Sequence, residues 1–156
     1  MTAFSDFAEN HLIDWLFRGQ AIGITGASAA AGTGPTSLYI ALYTANPTDT
    51  GGGTEVSGGA YARVTVASSL ANWAGTQAPA STVASSGNTG TTSNNIAITF
   101  PSPSANWGTV TGFGIFDATS AGNLLVWGAL TASKTVNNGD AAPSFPIGTL
   151  QFQIDN

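Results

Sequence analysis

The chain has 156 residues, of which 42% are hydrophobic and only 7% are charged, and its formal net charge is -5. Proteins that bind nucleic acids neutralise several phosphates with Lys and Arg, so a chain with three such cations and eight carboxylates predicts no nucleic-acid partner and no basic membrane-surface segment. The lack of Cys excludes disulfides and Cys-ligated metals, and the apolar content is too high for a disordered chain.

The first predicted element is an amphipathic helix in residues 1–19. Thr2 is placed to cap its start, and Arg18 followed by Gly19 fits its end. We expect no secretory signal and no bilayer-spanning stretch here, and synthesis in a cytoplasm. Apolar residues recur three and four positions apart, which predicts one apolar stripe on the helix: Phe4, Phe7, Ala8, Leu12, Trp15 and Leu16.

Two interpretations of this stripe stay open. The stripe either packs on the core of its own domain or docks onto a neighbouring subunit, because the small uncharged residues of 20–36 predict a flexible segment behind the helix. The docking hypothesis assumes that the β-region closes without the helix. It assigns assembly contacts to Phe4, Phe7, Leu12, Trp15, Leu16 and Trp73.

Residues 37–156 predict a β-domain, because the hydrophobic period changes from 3.6 to 2 after the flexible segment. Strands are expected at 38–43, 61–66, 96–100, 109–117, 123–131, 133–136 and 149–154, with a hairpin loop at 117–123 and a turn at 136–140. Seven to eight short strands and one helix indicate a mainly β fold, an antiparallel β-sandwich of jelly-roll-like topology.

The sequence predicts no enzyme, no metal site and no cofactor. His11 is the only imidazole, and no motif supplies it with a nucleophile. The acids available to a hydrolytic pair lie mostly in sequences typical of turns, where an Asp side chain usually accepts a hydrogen bond from the backbone of its own turn. These acids are Asp49, Glu55, Asp117, Asp140 and Asp155.

Two further sites have two interpretations each. Trp73, Trp107 and Trp127 could form a sugar-binding platform, but core packing is favoured for Trp107 and Trp127, and only Trp73 stands in a polar loop. Arg63 lies in an otherwise uncharged strand and predicts a structural ion pair with Asp117, or alternatively with Glu55.

Several strings together resemble a family of small virion proteins of tailed bacteriophages, which are often labelled tail fibre proteins. The strings are "FSDFAENHLIDWLFRG", "SLYIALYTANPTDTGGGTEVSGGAYARVTV" and "ITFPSPSANWGTVTGFGIFDATSAGNLLVWGALTASKTVNNGD", and they span nearly the whole chain. Longer small-residue segments at 21–35 and 74–95 depart from the pattern. Similar small jelly-roll proteins act as capsid cement, and the family carries no catalytic motif.

The resemblance implies a non-enzymatic structural protein of the virion, assembled in the host cytoplasm. Capsid cement or decoration is the first expectation, and a tail-fibre or baseplate-associated component is the second. A glycan-binding receptor module is the alternative of another class. The implied partners are other virion proteins, foremost the major capsid protein or else tail proteins, and the protein is expected to form a homo-oligomer.

Overall fold

The computed structural model describes residues 4–24, 32 and 34–154. Helix α1 spans Asp6–Arg18. Its N-cap is Ser5, whose Oγ accepts a hydrogen bond from the backbone N–H of Ala8, and its C-cap is Gly19, at φ 66°. The predicted end of the helix is confirmed, whereas the predicted cap, Thr2, lies outside the described residues.

Nine β-strands follow the helix in the described part of the chain. They are β1 (Ser37–Ala45), β2 (Thr54–Glu55), β3 (Val64–Ala67), β4 (Thr91–Ser93), β5 (Ile98–Thr99), β6 (Gly108–Phe116), β7 (Leu124–Val136), β8 (Ser144–Phe145) and β9 (Gln151–Gln153). The predicted mainly β, antiparallel fold class with one N-terminal helix is therefore confirmed. The two strands expected at 123–131 and 133–136 form one strand, β7.

The largest sheet has five strands in the order β2-β1-β6-β7, with β3 also pairing with β1. Strand β1 pairs antiparallel with β6 from Tyr39 opposite Phe116 to Tyr43 opposite Gly112. A Cβ on Gly112 would meet the side chain of Asn46 and the backbone of Gly128, so glycine allows this close approach. Strands β6 and β7 form the predicted hairpin around residues 117–123.

The chain divides into two compact units. The first comprises Met1–Ser37, Ala67–Ile98 and Phe145–Asn156, and the second comprises Leu38–Val66 and Thr99–Ser144. In the first unit, Phe17 contacts Trp73 and Phe152, and β4 pairs with β9. In the second unit, strands of the large sheet bury large apolar side chains that include Leu38, Ile40, Val110 and Ile115.

Candidate functional site

The first unit has a fully buried cation in its interior. Arg18, at 0% exposure, forms an ion pair of 2.6 Å with Asp14 one helical turn earlier. Its guanidinium also donates to the carbonyls of Trp73 and Val83, at 3.0 and 2.6 Å, and to Ser85 Oγ. These bonds satisfy the charge and join α1 to the loop residues 73–85.

A second polar contact on the same side of the helix continues this network. Asn10 accepts a hydrogen bond from the hydroxyl of Thr76 and donates to the carbonyl of Gly87 at 3.0 Å. Residues 73–87, which overlap the small-residue segment 74–95, are therefore ordered against α1 by hydrogen bonds. The face of α1 that lies inside the unit combines two apolar with four polar residues: Glu9, Asn10, Ile13, Asp14, Phe17 and Arg18.

Two aromatic rings are exposed at the N-terminal end of α1, one just before the helix and one in its first turn. Phe4 and Phe7 are 57% and 56% exposed. Phe7 packs on the ring of His11, with a centroid distance of 4.1 Å, and His11 Nδ1 lies 2.7 Å from the carbonyl oxygen of Phe7. A Cβ on Gly23 would meet the His11 ring, and the next residue, Ile24, is also exposed. We call the surface formed by Phe4, Phe7, His11 and Ile24 the aromatic patch.

The residues predicted as assembly contacts have different environments. Phe4 and Phe7 are exposed, whereas Leu12, Trp15 and Leu16 are half-buried. Trp73 was expected in an exposed loop, but it is only 1% exposed and packs edge-on against Phe17. This part of the prediction is wrong, because a ring buried in its own unit offers no surface to a neighbour.

The second unit contains a network centred on Arg63. The guanidinium makes a bidentate ion pair with Glu55, with distances of 2.9 and 2.7 Å, and lies 3.5 Å from the centre of the Phe116 ring. It also donates to the carbonyls of Ala118 and Ala121 in the hairpin loop. Arg63 therefore fixes that loop to the β2 region.

Tyr61 extends the network through its hydroxyl. The hydroxyl donates to Glu55 at 3.0 Å and accepts a hydrogen bond from the backbone N–H of Leu42. Burial raises the pKa of Tyr61, and burial also raises the pKa of Tyr43. The hydrogen bond to Glu55 raises the pKa of Arg63.

Glu55, rather than Asp117, forms the ion pair with Arg63, so the structure selects the second of the two candidate partners. Asp117 instead accepts hydrogen bonds at 2.7 Å from both the backbone and the side chain of Asn123 across the hairpin loop. These two bonds lower the pKa of Asp117.

The remaining acids predicted for a hydrolytic pair are also dispersed. Asp140 Oδ2 accepts a hydrogen bond from the backbone of Asn137 in a turn, and Asp49 Oδ1 accepts one from Trp127 Nε1 at 3.3 Å. Asp155 lies outside the described residues. In the part of the chain that the structure describes, no three His, Cys, Asp or Glu side chains gather as metal ligands.

The tryptophans do not form one platform. Trp107 is buried and donates to the carbonyl of Gly59, as the core-packing interpretation predicted. Trp127 lies on β7 and is 37% exposed, so the core-packing prediction for this residue is wrong. Among the described residues its strand is at the edge of the sheet and pairs with β6 alone.

Residues 3–153 match the family model described as Podophage GP4 fiber I protein gp80. The chain belongs to this phage fibre family. The match confirms the resemblance to tailed-phage virion proteins and identifies the chain as a structural component of the virion. No match was found among curated proteins. No helix among the described residues has the length and apolar character needed to cross a bilayer.

Proposed function

We propose that this protein is a non-enzymatic component of the phage fibre and is attached to a neighbouring virion protein through the aromatic patch. The observation that carries the proposal is the orientation of α1. The helix buries Arg18 and Asp14 within its own unit while Phe4 and Phe7 are more than half exposed. Two large apolar rings are therefore left in water at the end of a helix whose buried face holds an ion pair.

The exposed rings give a physical reason for attachment. A Phe side chain presents about 150–250 Å², so the two rings leave roughly 200 Å² in water at the exposures of 57% and 56%. Covering that area contributes roughly 5 kcal/mol. Because α1 is anchored by Arg18, a partner meets a surface that is already ordered, which lowers the entropic cost of binding.

A double variant, Phe4→Ser with Phe7→Ser, tests this attachment. We expect the purified variant to keep its circular dichroism spectrum and unfolding midpoint, because both side chains are exposed. Its amount in purified particles, measured by quantitative mass spectrometry after complementation, should fall by about tenfold or more.

Val83→Ser is the matched control. Val83 belongs to the same unit and is 64% exposed, but it lies outside the aromatic patch. This variant should enter particles like the wild type. If the double variant is incorporated equally well, the aromatic patch is not the attachment surface.

The place of the protein in the particle is a separate question. The family description favours a fibre, while the capsid-cement role expected first from the sequence is the alternative. Immunogold labelling of virions distinguishes the two, because fibre components label the tail and cement proteins label the whole head. A label distributed over the head would overturn the fibre assignment. Loss of host-cell binding without loss of incorporation would instead support the glycan-binding alternative.

A further inference from the structure

Strand β7 carries apolar residues on both faces, although it lies at the edge of its sheet. Within the described residues it pairs with β6 alone. Leu125 and Trp127 are each 37% exposed, and Leu124, Val126 and Leu130 are half-buried. The pairing with β6 puts Leu124 and Trp127 on one face of the sheet and Val126 on the other. Apolar residues on both faces are typical of strands that are covered on both sides. A long apolar edge is also a template for pairing with another chain.

The regular part of this edge is short. The pairing between β6 and β7 is irregular at two places. Between Val110 and Gly112, one residue of β6 faces the four residues Leu130–Ser133 of β7. At the other place, Leu125 is an extra residue between the pairs that Val126 and Leu124 make with β6. Between these irregularities, residues Val126–Ala129 pair regularly with β6. The outer edge of this stretch is where a further strand can pair.

The β6–β7 hairpin carries opposite charges at its two ends. Lys134, near the end of the strand, is exposed, whereas the other cations of the described chain, Arg18 and Arg63, are held in ion pairs. At the start of the strand, the carboxylate of Asp117 lies beside Gly122. No Asp, Glu, Lys or Arg occurs between Asp117 and Lys134 in the sequence.

We propose that a second copy of this chain pairs antiparallel along β7, related to the first by a two-fold axis near Gly128. With the axis at Gly128, Trp127 of one copy lies opposite Ala129 of the other. Measured by the pairs on β6, Lys134 lies three positions to one side of Gly128 and Asp117 lies four positions to the other, so antiparallel pairing brings Lys134 of each copy towards Asp117 of the other. The partner is a second copy because the charge that complements Lys134 is found at the opposite end of the same hairpin.

The same two charges cannot interact within one chain. Lys134 lies opposite Val110 on β6, and Asp117 follows seven positions after Val110. At about 3.3 Å per residue this separation is roughly 23 Å, well beyond the screening length of about 8 Å at physiological ionic strength. Any energetic coupling between Lys134 and Asp117 therefore reports contact between copies.

The first experiment measures the mass of the purified full-length chain by light scattering after gel filtration. We expect a dimer that Ala129→Lys converts to a monomer, because a charge at the centre of the edge would be desolvated on pairing. Ala141→Lys, at an exposed position away from β7, should leave the dimer intact. A wild-type monomer, or a dimer unchanged by Ala129→Lys, overturns the proposal.

The second experiment is a charge swap that does not depend on the Ala129→Lys variant being folded. Lys134→Glu and Asp117→Lys should each weaken dimerisation by about tenfold, and the double variant should recover most of that loss. Ser102→Asp adds negative charge at an exposed position elsewhere and should have no effect. Absence of recovery in the double variant overturns the two-fold arrangement. This inference concerns the isolated chain, so its failure leaves the proposed attachment in the fibre untouched.

Discussion

At the scale of single residues, Arg63 shows how contacts divide into those that a sequence predicts and those that it leaves open. An arginine in an uncharged strand predicts a partner, and the bidentate pair with Glu55 supplies one. The choice between Glu55 and Asp117 depends on how the loops after β1 and β6 fold back, which no local pattern encodes. Asn123 donates two hydrogen bonds to Asp117 within the hairpin loop, and Glu55 is the acid that pairs with Arg63.

Replacing Arg63 by Ala should lower the free energy of unfolding by about 2–4 kcal/mol, because it leaves Glu55 without its partner and two loop carbonyls without their donor. Chemical denaturation followed by tryptophan fluorescence measures this change. Ser102→Ala, at an exposed position of the same unit, should change the free energy by less than about 0.5 kcal/mol. Equal unfolding midpoints for the two variants would contradict the structural role of Arg63.

Tyr61 makes the stability of the protein depend on alkaline pH. Its pKa in the folded chain is raised by burial, whereas an unfolded Tyr ionises near about 10. Above that pH the unfolded state loses a proton that the folded state keeps, so the stability contributed by Tyr61 is complete below about pH 10 and declines as the pH rises further.

We therefore expect the thermal unfolding midpoint of the wild type to decrease as the pH is raised above about 10. The decrease should be smaller in Tyr61→Phe. Circular dichroism melts at a series of pH values measure both curves. Tyr39→Phe is the matched control for loss of a tyrosine hydroxyl. If Tyr61→Phe and the wild type show the same alkaline slope, ionisation of Tyr61 does not contribute.

At the scale of elements, α1 shows that the existence of a helix is easier to predict than the face it buries. The end at Gly19 follows from local chemistry and is confirmed. The core-packing interpretation placed the apolar stripe on the buried face, but four of the six buried residues are polar. The spacing of apolar residues cannot predict the burial of these polar residues, because their burial depends on partners such as Val83 and Ser85, more than sixty positions away in the sequence.

The strands follow the same rule. Strands β1 and β6 have nine residues each and show their period clearly, whereas β2, β4 and β8 have only two or three residues, too few to show a period. These short strands were missed. Strand β7 was divided in two because Thr131–Ser133 lacks large apolar residues.

Replacing Arg18 by Ala should destabilise the protein by about 3–5 kcal/mol, because the carboxylate of Asp14 would keep its buried position without its counter-charge. Phe7→Ala, on the exposed side of the same helix, should change stability by less than about 0.5 kcal/mol. Urea denaturation of both variants tests the contrast. Because α1 is held by this buried network, deletion of residues 1–20 should disrupt the first unit, whereas the docking hypothesis assumed that the β-region closes without the helix. An Arg18→Ala variant as stable as the wild type would show that α1 is not anchored through this network.

At the scale of the whole molecule, the distribution of carboxylates argues against hydrolysis of a glycan. A glycosidase needs two carboxyl groups facing one cleft at about 5 to 9.5 Å, and one of them must be free to act as an acid. In the described chain, Asp14 and Glu55 are in ion pairs with arginines, and Asp117 and Asp140 accept hydrogen bonds in turns. These four acids are thus committed to structure.

We therefore expect that the purified protein releases no reducing ends from host surface polysaccharide, even during prolonged incubation. The informative variants are Glu55→Gln and Asp117→Asn. Glu55 lines a shallow cleft of about 380 Å³ together with Arg63 and Phe116, and Asp117 lies beside Gly122, which also lines it. Both variants should alter stability without altering the baseline of the assay, since each acid is held by structural hydrogen bonds, Glu55 to Arg63 and Asp117 to Asn123. Sugar release by the wild type that disappears in Glu55→Gln would overturn this view. The unfolding midpoint of Glu55→Gln, measured in parallel, shows whether the variant is still folded when release is lost.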